Sequence, residues 1–97
     1  GTGGRAQEFA LAAAQEIAGL RNTWVVGFGT DGTDGPTPAA GAAVDGQTVS
    51  RAGRLGVDLQ EALRRNNVYP ALKRLRALIM SGPTGTNVND LYLLLAI

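Results

Sequence analysis

The chain has 97 residues, enough for one domain with a real core, and a hydrophobic share of 44% against 18% charged excludes a disordered segment. It contains no cysteine and no histidine, which removes disulfides, Cys- or His-ligated metals, and Ser-His-Asp or Cys-His catalysis within the chain. The formal charge of +1 is unevenly spread: residues 1–48 hold two arginines against five acids, and residues 49–97 hold seven basic residues against three acids.

Residues 5–20 read as a helix. Phe9, Ala13, Ile17 and Leu20 recur at spacings of four, four and three, and Leu11, Ala14 and Ala18 add a second apolar stripe. Residues 23–28 (TWVVGF) are β-branched and aromatic, hence a strand, and their continuous apolar character predicts burial on both faces. Residues 30–38 cannot be regular structure, and 42–44 suit a short strand. Thr48 is placed to cap a short helix that Gly56 stops, and Asp58 to cap a helix over 59–65. A further helix covers 69–75, with Pro70 in its first turn. Residues 78–80 form a strand, 81–89 a loop, and 90–97 a last apolar strand. Helices alternating with buried strands predict an α/β fold, a layered, mostly parallel or mixed sheet flanked by helices.

Two glycine-rich segments follow strands. In GTDGTDGPT (29–37), glycine brings backbone amides near a ligand, Thr30 and Thr33 add hydroxyls, and Asp31 and Asp34 suit Mg²⁺ or a substrate hydroxyl. Equally, both aspartates could hold a tight loop through Asx-turns. SGPTGTNVND (81–90) is rich in hydroxyls and amides, lacks the lysine of a Walker A loop, and suggests a second loop converging on the same site. It too reads equally well as a structural turn. Arg5 stands at a helix start, where a cation opposes the helix dipole. An anionic ligand would satisfy both the arginine and the free amides there, whereas pairing with Glu8 is the local alternative.

The basic residues Arg64, Arg65, Lys73, Arg74 and Arg76 have only Tyr69 as an aromatic neighbour, so a solvated helix face is expected and no nucleic-acid partner. The apolar run 91–97 is far shorter than the roughly 20 residues that span a bilayer, and no signal-peptide order opens the chain. A cytoplasmic protein with no membrane association is therefore expected.

The segments GGRAQEFALA, GTDGTDGPTPAAGAAVDG and SGPTGTNVNDLYLLL, in this order, resemble the MOFRL domain, the C-terminal part of the glycerate 2-kinase family, whose members are often labelled hydroxypyruvate reductase. The resemblance covers nearly all of residues 1–97 as a single domain. It implies a larger N-terminal domain as partner, an active site in the cleft between the two, and ATP and Mg²⁺ for phosphorylating D-glycerate to 2-phosphoglycerate. It assigns Arg5 to an anion, either carboxylate or phosphate, and Asp31 and Asp34 to the metal or the attacking hydroxyl. Thr30, Gly32, Thr33, Thr84, Gly85, Thr86 and Asn87 become loop contacts to substrate or phosphate. The chain departs from the family pattern at Ala6 (usually asparagine), at Pro38 (usually aspartate) and over 66–69, where Asn-Asn-Val-Tyr stands for Asn-Asp-Ser-Tyr. The alternative is a stand-alone small-molecule or phosphate-binding module without activity of its own. A nicotinamide-dependent reductase is discounted: Gly27 and Gly29 begin a dinucleotide fingerprint, but the next glycine is misplaced and no helix follows Pro36. Half a site exposes the surface meant for its partner, which leaves a homo-oligomer open.

Overall fold

Alanine and glycine set how closely the layers approach. The computed structural model describes residues 1–82, 84 and 89–97. Its elements are α1 (Arg5–Glu16), β1 (Thr23–Gly29), β2 (Gly41–Asp45), α2 (Thr48–Leu55), α3 (Leu59–Arg64), α4 (Val68–Arg74), β3 (Leu78–Ile79) and β4 (Asp90–Ala96). Ala6, Ala10, Leu11 and Ala14 form the buried stripe of α1, continued by Ile17 just past its end. Small side chains there let the helix lie almost on the sheet. A Cβ added to Gly27 of β1 would come within 2.7 Å of the Ala6 carbonyl oxygen, so only glycine permits this approach. The helix is shorter than the expected 5–20, because the chain turns through a positive φ at Gly19. Phe9 and Leu20, both on the first apolar stripe read from the sequence, are exposed.

The strands form one four-stranded sheet in the order β3-β2-β1-β4, and every neighbouring pair is antiparallel. The layered α/β class expected from the alternation of helices and strands is found, but the mostly parallel or mixed sheet is corrected to an antiparallel one. Parallel neighbours need a crossover of about a dozen residues or more, usually a helix. No helix separates β1 from β2, so the chain returns directly; α2, α3 and α4 all fall between β2 and β3.

The helices cover one face only. Val25, Ala42 and Val44 meet Leu11 and Ala14 of α1, Ala52 of α2, Leu59 of α3, and Val68, Ala71 and Leu72 of α4 in a single core. β1 alternates accordingly: Val25, Gly27 and Gly29 are buried, Val26 and Phe28 half-buried, and Trp24 exposed. The expectation that β1 is buried on both faces is therefore corrected. On the open face Trp24, Val26 and Phe28 pair with Leu95, Leu93 and Leu91 of β4, and all three leucines are exposed. The result is a two-layer α/β unit whose outer sheet face is apolar and covered by none of the described helices.

Local chemistry sets the helix starts. Asp58 caps α3 as expected, its carboxylate accepting the Glu61 N–H at 3.0 Å. Thr48 is not the cap of α2; it is the first helical residue, and its hydroxyl oxygen accepts the Asp45 N–H at 2.9 Å. Among the described residues, no helix is long and apolar enough to cross a membrane.

Candidate functional site

The start of α1, the end of β1 and the start of β4 lie at one end of the sheet, because α1 runs over β1 while β4 pairs beside it. Gly4 is the N-cap residue of α1 and has no side chain to cap with. Asp34 supplies the cap from the 30–38 loop. One carboxylate oxygen accepts the Ala6 N–H at 3.1 Å and the other the Gln7 N–H at 2.8 Å. Asp34 is buried, and a side chain at Gly4 would overlap its carboxyl group. A buried carboxylate at this helix end is stabilised by both the amides and the helix dipole. The buried Gln7 side chain donates to the Thr37 hydroxyl at 2.8 Å, and that hydroxyl donates to the Asp34 carbonyl at 2.9 Å. The amides expected to face an anion at this helix start are thus engaged by Asp34.

Asp31 forms the local turn anticipated as its structural alternative. It accepts the Thr33 N–H and the Thr33 hydroxyl, each at 3.1 Å. All four carboxylate oxygens of Asp31 and Asp34 therefore meet protein donors. Among the described residues, no group of three or more acidic side chains gathers to hold a metal.

The two glycine-rich loops do converge. The Thr84 hydroxyl donates to the Thr30 carbonyl at 2.6 Å, and the Thr84 N–H to the Asp31 carbonyl at 3.1 Å. The Thr30 N–H donates to the Asn89 carbonyl at 2.7 Å, and the Asn89 N–H returns to the Thr30 hydroxyl at 3.2 Å. Where the loops meet the open sheet face, Val26, Phe28, Thr30, Ile79 and Thr84 line a groove of about 300 Å³. A larger groove of about 500 Å³ runs between α1 and β4 past Phe9, Ile17 and Leu94. It begins at Tyr92 beside Asp90 and is apolar along its length, so it does not suit a small charged substrate.

Arg5 points outward, its side chain 85% exposed, and pairs with Asp90 at 3.1 Å. The Asp90 carboxylate also accepts the Tyr92 hydroxyl at 3.2 Å. Partial burial and the adjacent carboxylate hold that phenol above its usual pKa, so it remains a donor at neutral pH. Arg5, Thr30, Asp31, Gly32, Thr33, Asp34 and Thr84 thus share one end of the molecule. Gly85, Thr86 and Asn87 lie outside the described residues. Reading the sequence alone missed Gln7, Thr37, Asp90 and Tyr92. The available signal was periodicity: Asp90 and Tyr92 share a strand face, whereas Arg5 and Phe9 share a helix face.

Residues 1–90 match the model of the MOFRL family. The chain is 50% identical over 93 residues to a D-glycerate 2-kinase of Thermotoga maritima, covering 96% of this chain and 22% of that protein. It is 47% identical over 93 residues to a glycerate 2-kinase of Pyrococcus horikoshii, covering 96% of this chain and 21% of that protein. The crystal structure of a Thermotoga maritima glycerate kinase superposes with a TM-score of 0.96 at 49% identity, over 100% of this chain and 23% of that one. The chain thus spans about a fifth of the length of these relatives. With the family model matched along almost its whole length, the chain belongs to the MOFRL family.

Proposed function

We propose that this chain is the C-terminal domain of a longer glycerate 2-kinase and supplies one wall of its active site. The whole enzyme would transfer the terminal phosphoryl group of ATP to D-glycerate, giving 2-phosphoglycerate, in the cytoplasm. The observation that carries this reading is Arg5, an exposed guanidinium at the junction of α1 with two converging loops, in a chain half identical to a named D-glycerate 2-kinase.

Charge supports a half-site. This end of the molecule carries Arg5 against Asp31, Asp34 and Asp90. Phosphoryl transfer needs positive charge around the transferring group and precise positioning more than covalent chemistry. The missing cations would come from the larger domain and from Mg²⁺ that arrives with the nucleotide. The described donors do not fit a resident metal, so no step is assigned to one. The bare apolar sheet face supports docking onto that larger domain, because an uncovered face of this kind marks an interface. A homo-oligomer would compete for the same surface.

Within the chain, Arg5 would bind the glycerate carboxylate or the transferring phosphoryl group through charge-assisted hydrogen bonds. Asp34 would act by holding the start of α1, and so Arg5, against the 30–38 loop. Thr30 and Thr84, which line the groove where the loops meet the sheet, would contact the substrate.

The test is ADP release with ATP, Mg²⁺ and D-glycerate in the full-length protein. Arg5→Gln is expected to lower kcat/KM about a hundredfold or more. Its folding stability should change by less than about 1 kcal/mol, because the guanidinium is exposed and Asp90 keeps the Tyr92 hydroxyl as a partner. Unaltered turnover in Arg5→Gln would remove Arg5 from the site, and no ADP release from the wild type would overturn the kinase reading.

A further inference from the structure

Arg5 and Phe9 stand one turn apart on α1, and Asp90 and Tyr92 stand two residues apart on β4. The four side chains meet pairwise. Arg5 pairs with Asp90 at 3.1 Å, the Tyr92 hydroxyl donates to the same Asp90 oxygen at 3.2 Å, and the Phe9 and Tyr92 rings lie with centroids 4.4 Å apart. Opposite Asp90 and Tyr92 on β1 are Gly29 and Gly27, which offer no side chains that could come between α1 and β4. Asp90 is largely covered, with 18% of its side chain exposed, although Arg5 is 85% exposed. The carboxylate is thus the fixed point to which the exposed guanidinium is tied.

We propose that Asp90 is a positioning residue for Arg5, acting with Tyr92 and Phe9 as a brace that holds the guanidinium ready for an anion. This rests on the reading that Arg5 binds the anionic substrate, and specifically the glycerate carboxylate. Asp90 touches one terminal nitrogen of the guanidinium, and the fork has further N–H donors to offer. A free arginine side chain must be frozen when a ligand binds, whereas a braced one has already lost much of that freedom. The brace therefore acts on affinity for the anion and not on the chemical step. Asp90 also carries a negative charge, which on its own would repel the ligand; the direction of the effect separates the two roles.

The experiment uses the full-length protein and measures D-glycerate binding by calorimetry beside steady-state kinetics. Asp90→Asn is expected to raise both the glycerate dissociation constant and its KM about tenfold, the scale set by freezing one arginine side chain. The kcat and the KM for ATP should stay within about twofold, and Asp90→Glu should recover most of the lost affinity. Tyr92→Phe keeps the charge and loosens only the carboxylate, so about a two- to threefold weakening is expected. If Asp90→Asn does not fold, Tyr92→Phe decides, and an unchanged dissociation constant overturns the proposal. Binding by Asp90→Asn as tight as wild type, or tighter, also overturns it, because charge repulsion would then dominate. Wild-type protein that binds glycerate without releasing ADP would defeat the kinase reading alone, leaving the dissociation constants to decide the role of Asp90. Wild-type protein that binds no glycerate would overturn both.

Discussion

Asp34 shows how a residue chosen for chemistry can serve architecture first. Its two oxygens each hold one amide of α1. Asp34→Asn would replace one of those acceptors with an NH₂ group facing an N–H. Loss of one buried hydrogen bond, with two donors opposed, is expected to cost about 1–3 kcal/mol, read as a lower urea midpoint. An unchanged midpoint would mean that the loop re-forms the cap by another route. Asp34 and Asp58 both cap helices, but only Asp58 was legible. It acts three residues away on its own helix, whereas Asp34 acts on amides 27 and 28 positions earlier. Arg5 could be picked out because it stood where the helix dipole disfavours a cation. Asp90 could not, because its role depends on β4 lying beside α1.

At the level of elements, α3 and α4 lie within two residues of their expected bounds, since local caps and Pro70 mark them. Strand direction was not marked locally. β1 reads as buried on both faces because both are apolar, yet only one is covered. The end of α4 holds a residue-level conflict with its own geometry. Arg76 follows the C-cap Leu75 and has φ 56°, a left-handed conformation that L side chains resist. The equivalent turn after α2 uses Gly56. Arg76→Gly is expected to stabilise the fold by about 0.5–1 kcal/mol, the steric relief less the added freedom of the unfolded chain. Thermal or urea unfolding would show it, and a lowered midpoint would indicate that the arginine side chain contributes more than its backbone costs.

For the whole molecule, the deciding feature is the face that the helices leave bare. Trp24, Leu91, Leu93 and Leu95 are exposed there, and the outer edge of β4 pairs with no other strand among the described residues. Long apolar edges of this kind invite pairing with another chain. The 97-residue chain alone is expected to bind an apolar dye such as ANS and to elute above its 10.0 kDa mass. Leu93→Lys combined with Leu95→Lys should reduce both signals. A monomer that binds no dye would mean that the face closes on itself.

The remote cap on α1 also orders events in time. Ala6 and Gln7 find their acceptor only after β1 and the following loop have been placed, so the first turn of α1 cannot be secured by local sequence. Closing such a span costs entropy before the contact repays it. The body of the helix can condense early on its alanine stripe. The end bearing Arg5 is completed with the loop, so this corner is expected to be among the last parts of the fold to become native.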